Sequence, residues 1–171
     1  MSQITTDICR AFEELGCPYQ KIKHAASHTS EQSAQARVAG GGPLVIGAKA
    51  LLLKATVRGD AQFHLFVLPG PSRLASSVLN EHFPDWKRSR FANAAELAER
   101  ARGVLPGAVP PFGKPIFPLI DRLHFDSELV EINDLIGFNA GDHCVSLIVQ
   151  VRDLIDVAKP DDVFRFSDPV E

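Results

Sequence analysis

Two stretches of this sequence carry residues whose types and spacing could do chemistry. One is Gly47-Ala48-Lys49-Ala50-Leu51-Leu52-Leu53-Lys54, a cation at the mouth of an apolar run. Read as a strand, Lys49, Leu51 and Leu53 share one face while Ala50, Leu52 and Lys54 share the other, so both faces must be largely covered. An ammonium aimed into a pocket there could anchor a phosphate or steady a developing negative charge. The window is equally compatible with two strand-end lysines that send their amines to water. The other stretch is Gly103-Val104-Leu105-Pro106-Gly107-Ala108-Val109-Pro110-Pro111-Phe112-Gly113, too rich in Pro and Gly for helix or regular strand. Proline fixes φ and removes donors, so the carbonyls and remaining amides of Gly107, Ala108, Val109, Pro110 and Pro111 are displayed in set directions. Such a loop can hold a small polar ligand through backbone groups, or serve as a plain rigid connection.

Other chemistries lack their residues. Gly42, Gly47 and Lys49 approach a phosphate-binding loop, but the lysine comes one place late and Ala50 stands where a magnesium-binding hydroxyl is required. There is no G-x-S-x-G elbow, and Cys9, Cys17 and Cys144 have no evident paired histidine. The six histidines show no H-E-x-x-H or clustered ligand spacing, so neither a catalytic metal nor another cofactor is expected.

The elements that must position these stretches follow from periodicity and breakers. Ile4, Ile8, Phe12 and Leu15 recur at helical spacing, with Ser2 as cap and Gly16 and Pro18 at the end. Tyr19 to Lys23 predicts an edge strand. Thr29-Ser30-Glu31-Gln32 matches the capping box and predicts a helix through Val38, which Gly40-Gly41-Gly42-Pro43 ends. Lys49 to Val57 and Gln62 to Leu68 predict a central hairpin around Arg58-Gly59-Asp60-Ala61. Ser72 is a candidate cap for a helix carrying Leu74, Val78 and Leu79 that stops before Pro84. Trp86 to Phe91 predicts a strand or extended loop in which Lys87, Arg88 and Arg90 form a solvated edge or touch a few phosphates. Asn93 and Glu96 open a further helix to about Arg102. Ile116 to Ile120, Leu135 to Asn139 and Cys144 to Gln150 predict strands, the last two joined by Ala140-Gly141-Asp142-His143. A short helix over Arg152 to Val157 and a polar tail complete the chain.

A length of 171 residues fits one domain spanning 1–171, able to bury roughly 70% of its unfolded surface. The chain is 45% hydrophobic and 23% charged, without a run long enough to span a bilayer. The first residues lack the pattern of a secretory signal, and three unpatterned cysteines suit a reducing cytoplasm. With a net charge of −3, any contact with RNA is expected to be local and small.

Three stretches line up, in order, with one family. The capped Thr29-Ser30-Glu31 start, Gly47-Ala48-Lys49-Ala50-Leu51, and Gly107-Ala108-Val109-Pro110-Pro111-Phe112 resemble the YbaK and prolyl-tRNA-synthetase editing-domain family. The likeness extends to Phe138-Asn139-Ala140-Gly141 and is strongest to the YeaK-like branch. It implies an α/β (α+β) fold with a mixed, partly closed sheet flanked by helices, acting in trans as an aminoacyl-tRNA deacylase. By position, Lys49 matches the family's functional lysine, and Gly107 with Pro111 match the ends of its G-x-x-x-P loop. Thr29, Gly141 and the loop residues Ala108, Val109 and Pro110 complete the expected binding set. Asn139, His143 and Ser146 are candidates to pair with a substrate hydroxyl, and Asp121 is expected to be structural. The implied partner is the acceptor end of an aminoacyl-tRNA, with a synthetase as a further candidate and no membrane. Seryl- and threonyl-tRNA are the expected substrates. The alternatives are alanyl- or cysteinyl-tRNA(Pro), or a non-catalytic module that binds aminoacyl-tRNA or a synthetase.

Overall fold

The computed structural model describes residues 2–132 and 134–169. Its helices are α1 (Gln3–Glu14), α2 (Ser30–Ala39), α3 (Ser76–His82), α4 (Ala94–Arg100), α5 (Ser127–Glu131) and α6 (Val151–Ala158). The strands are β1 (Gln20–Lys23), β2 (Ile46–Val57), β3 (Asp60–Pro69), β4 (Ser72–Leu74), β5 (Trp86–Phe91), β6 (Arg122–Asp126), β7 (Leu135–Asp142), β8 (Val145–Gln150), β9 (Asp162–Phe164) and β10 (Ser167–Pro169). The main sheet is mixed and runs β1-β8-β7-β2-β3-β6-β9, with β5 also paired to β2.

Strand β2 organises this sheet because its two edges are used differently. One edge pairs along its length with β3, from Ala48↔Pro69 to Val57↔Asp60. The turn is Arg58-Gly59, with φ of 51° and 85°, the left-handed pair that a two-residue hairpin requires. The other edge is divided. Its first residues pair in parallel with β7 through Ile46↔Ile136 and Gly47↔Gly137, whereas Leu53 to Val57 pair with β5. Between those contacts Leu52 O accepts from Ala92 N–H at 2.9 Å, whereas residues 48–51 pair with no strand on this edge among the described residues, and the sheet opens.

Both faces of β2 are covered. Leu52 and Ala48 join the larger core with Ile8, Phe12, Phe117, Phe138 and Leu154, while Leu53 joins Phe66, Leu68, Leu79 and Phe166 in a second core. Each fully buried side chain of this size contributes about 1.5–3 kcal/mol. The helix-period pattern Ile4, Ile8, Phe12 packs α1 onto this core, with Ser2 Oγ accepting from Thr5 N–H at 3.2 Å and Thr5 Oγ1 donating to Ala140 O at 2.7 Å.

Several local expectations are corrected. Ser72 caps no helix: Ser72–Leu74 pairs with Ser167–Pro169, and α3 starts after Ala75 without a side-chain cap. Ile116 to Ile120 is irregular, because Pro115 and Pro118 deny it ladder donors, and the strand forms over β6 instead. The tail is not merely polar: it supplies β9 and β10 and the fully buried Phe166. Thr29 Oγ1 accepts from Gln32 N–H at 3.1 Å, but Gln32 Oε1 accepts from His28 N–H, so the reciprocal half of the box is missing. The full box is at Asn93 and Glu96.

Candidate functional site

The site forms where the sheet opens. In a strand, residues two apart share a face, so Gly47 places Lys49 on its own side of β2, and Gly137 does the same for Asn139 on β7. Ser146 of β8 lies opposite Asn139 in the antiparallel ladder. Three strands thus present Lys49, Asn139 and Ser146 in one region, and the loop after α4 closes over them. A cavity of about 160 Å³ results, lined by residues that include Thr29, Arg37, Lys49, Gly107, Val109 and Asn139.

Lys49 is half-buried, and burial pulls its ammonium below the ordinary lysine range. Among the described residues it has neither an ion-pair nor a hydrogen-bond partner. The cavity lining contains no carboxylate. Lys54, on the same strand, is different: its Nζ lies 3.3 Å from Glu96 Oε2.

The proline loop is fixed from two sides. Asn139 Nδ2 donates to Gly107 O at 2.8 Å, and Gly141 N–H donates to Ala108 O at 3.1 Å. His143 Nε2 lies 2.9 Å from Pro106 O, where it donates. Gly107 has φ of 85°, a left-handed conformation that glycine adopts without a Cβ penalty. Ala108, Pro110 and Pro111 are buried behind the loop surface, and neither Gly141 nor His143 lines the cavity. The binding set expected from the sequence therefore divides. Thr29, Lys49, Gly107, Val109 and Asn139 meet at the cavity, whereas Ala108, Pro110, Pro111, Gly141 and His143 brace it from behind. Asp121 lies elsewhere, its Oδ2 accepting from Phe63 N–H at 2.8 Å.

Sequence reasoning missed Arg37. It sits on α2, is 3% exposed, and lines the cavity. Its Nε donates to Ser146 Oγ at 3.0 Å, Ser146 Oγ donates to Asn139 Oδ1 at 3.1 Å, and Asn139 holds Gly107, so one polar chain runs from the guanidinium to the loop. His24 Nε2 completes the surroundings of Ser146 at 2.8 Å. Among the described residues buried Nη1 has no hydrogen-bond partner, and burial pushes the guanidinium down to about 10. Its bed is made by the paired glycines: a Cβ at Gly47 would lie 3.1 Å from Arg37 Nη1, and one at Gly137 would lie 3.1 Å from its Cδ and Nε. Glycine inside a strand signals such close approach, and positions 47 and 137 were the available clue.

The cavity adjoins a larger apolar groove lined by Leu44, Val45, Ile46 and Pro71, with Thr29, Gly47 and Lys49 common to both. Leu44 is 76% exposed there. Lys49 therefore stands at the border between an open apolar surface and a small polar interior.

Known proteins resemble this chain in both sequence and fold. Residues 24–157 match the model of the aminoacyl-tRNA editing domain. The multifunctional Ser/Thr-tRNA deacylase ProXp-y of Escherichia coli strain K12 is 32% identical over 146 residues, covering 85% of this chain and 83% of the relative. The fold is shared with a crystal structure described as a candidate trans-editing enzyme for prolyl tRNA synthetase, at TM-score 0.71 and 19% identity over 98% of this chain and 99% of the other. A hypothetical protein of known crystal structure aligns at TM-score 0.72 and 22% identity, over 94% and 99% of the two chains.

Proposed function

Since the chain belongs to the aminoacyl-tRNA editing domain family, we propose that it is a trans-acting deacylase that hydrolyses seryl- and threonyl-tRNA in the cytoplasm. The observation that carries this reading is an unpaired, half-buried Lys49 lining the same small cavity as Gly107 and Val109. The partner it requires is the acceptor end of a charged tRNA. The apolar groove beside Lys49 suits the terminal base, leaving the aminoacyl group to enter the cavity.

The ester of an aminoacyl-tRNA is already activated by its ribose, so positioned water suffices. Water oxygen attacks the carbonyl carbon, and the bond between that carbon and the ribose oxygen breaks. The departing oxygen takes a proton, giving free amino acid and tRNA with both terminal hydroxyls. The vicinal hydroxyl of the substrate helps to move the proton. Backbone carbonyls of the braced loop hold the α-ammonium. Gly107 O retains a second lone pair beyond its bond to Asn139. Lys49 steadies the negative charge that develops on the carbonyl oxygen, or anchors the terminal phosphate, and either contact counts most where the amine is desolvated and pre-placed.

The test is multiple turnover of purified protein on seryl-, threonyl-, alanyl- and cysteinyl-tRNA. Faster clearance of the first two is the expected result. Faster clearance of alanyl- or cysteinyl-tRNA(Pro) would replace the substrate assignment, and binding without turnover on any of the four would make the protein a recognition module.

A further inference from the structure

Arg37 has a charge that nothing in the deacylase reading uses. A buried guanidinium without a carboxylate costs several kcal/mol to desolvate, and here it lies under a cavity whose lining contains no acid. The surrounding structure nevertheless holds it firmly: two strand glycines in register leave room for it, and Ser146 fixes its Nε. A group retained in this way is built to meet an acceptor that arrives with a ligand.

We propose that Arg37 is the specificity-determining residue of the cavity and donates a hydrogen bond to the side-chain hydroxyl of a β-hydroxy amino acid ester; this rests on the deacylase reading above. The position of the open side identifies which part of the substrate reaches it. The tRNA must leave by the groove, where Leu44 and Ile46 are exposed and Lys49 marks the border. The phosphates remain on that side with the polymer. Two cations in the lining repel the α-ammonium, which is kept to the carbonyls of the loop. What extends to the buried floor is the amino acid side chain.

The chemistry of the pair then matches. A guanidinium has only donors, and a hydroxyl offers two lone pairs. A methyl group in the same place leaves a buried, charged donor unpaired, which is how a polar site rejects an analogue lacking the hydroxyl by large factors. Serine and threonine carry the oxygen at the same carbon, so one donor serves both. The chain Arg37–Ser146–Asn139–Gly107 also ties the hydroxyl sensor to the loop that holds the reacting end.

The test uses 3′-amide analogues of seryl-, threonyl- and alanyl-adenosine, in which the ester oxygen is replaced by NH, with binding measured by calorimetry. Wild-type protein is expected to prefer the seryl and threonyl amides over the alanyl amide by about 10²-fold or more. In Arg37→Met that preference falls to within about threefold, because seryl and threonyl affinity fall much further than alanyl affinity. Ser146→Ala, which frees Nε, lowers the preference by about tenfold and covers the case in which Arg37→Met does not fold. Equal wild-type affinity for the three amides would overturn the proposal. So would a parallel loss on all three in Arg37→Met, the pattern of a structural, phosphate-binding or oxyanion role. Selective binding of the seryl amide by a protein that leaves seryl-tRNA intact would refute the deacylase reading while upholding this one.

Discussion

The two ends of the β2–β3 hairpin are made from similar residues and put them to opposite use. At the turn end the half-buried lysine is paired and the buried imidazoles are neutral, while the half-buried Arg100 lies over the Phe63 ring. Lys54 meets Glu96, which Arg90 also grips through Nη1 at 2.7 Å and Nη2 at 3.0 Å. His64 Nδ1 lies 2.8 Å from His124 Nε2 among the rings of Phe66, Phe83 and Trp86, and burial drives the two imidazoles down to about 4 and about 3, so both are neutral. At the open end neither Lys49 nor Arg37 has a carboxylate partner among the described residues, and burial lowers the pKa of both. A protein selected for stability alone would pair or replace them. The difference shows that the same strand can spend its stability at one end and conserve it at the other, and that the unpaired end is where a ligand completes the structure.

The largest expected effect comes from removing the unpaired amine. Lys49→Ala should lower kcat/KM on seryl-tRNA by about 10²–10³-fold, the range for one pre-placed charge-stabilising donor, whereas Lys54→Ala stays near wild type. A dead Lys54→Ala beside an active Lys49→Ala would reverse the assignment of the two ends.

Acid should act first at the turn end. The folded pKa values of His64 and His124 lie below the unfolded value of about 6.5. Their contribution is therefore complete above about pH 6.5 and lost as pH falls toward 4, on the order of 3 kcal/mol for each. Carboxylates such as Glu96, held down to about 2 by Arg90, lose theirs only at lower pH. Denaturant unfolding at pH 7 and pH 5 checks this, and the His64→Leu/His124→Leu double variant should flatten the difference.

A smaller effect probes the bed of Arg37. In Gly137→Ala the new Cβ would lie 3.1 Å from Arg37 Cδ and Nε and 3.2 Å from Val45 Cγ2, an overpacking that costs about 1–3 kcal/mol. Thermal unfolding of this variant beside Gly59→Ala, whose added Cβ meets nothing within 4 Å, separates crowding from backbone strain at the turn. Smallest is the effect at the turn-end pair: Lys54→Ala should change the rate of deacylation by less than about twofold, since Lys54 does not line the cavity.

How much of this was legible in the sequence differs between the two ends as well. Lys49, Thr29, Gly107, Val109 and Asn139 could be grouped because each belongs to a short stretch that resembles, in order, one family, whereas the residues alone left Lys49 and the loop open; the five do line one cavity. The hairpin was equally plain, since Arg58-Gly59-Asp60-Ala61 separates two apolar runs, although the turn itself tightens to Arg58-Gly59 and Asp60 and Ala61 join the strand. Arg37 was not, because an arginine among Gln, Ser and Glu on a helix reads as a solvated face. Its burial is decided by Gly47 and Gly137, far away in sequence, which meet only when β2 and β7 pair. Ile116 to Ile120 misled for the opposite reason: its composition suits a strand, but the prolines beside and within it remove the donors a ladder needs. His64 and His124 carry no spacing signal, since parallel pairing of β3 with β6 alone brings them together.

The central claim is that the open end works through an amine kept positive without a partner, and the alkaline limb of the wild-type rate tests it most directly. Because burial lowers the pKa of Lys49, the single-turnover rate on seryl-tRNA, corrected for spontaneous hydrolysis, should be flat and then fall as pH rises through a value below the ordinary lysine range. In Lys49→Arg, which keeps the charge to higher pH, the fall should move upward. Wild-type and Lys49→Arg profiles that superpose would contradict the account.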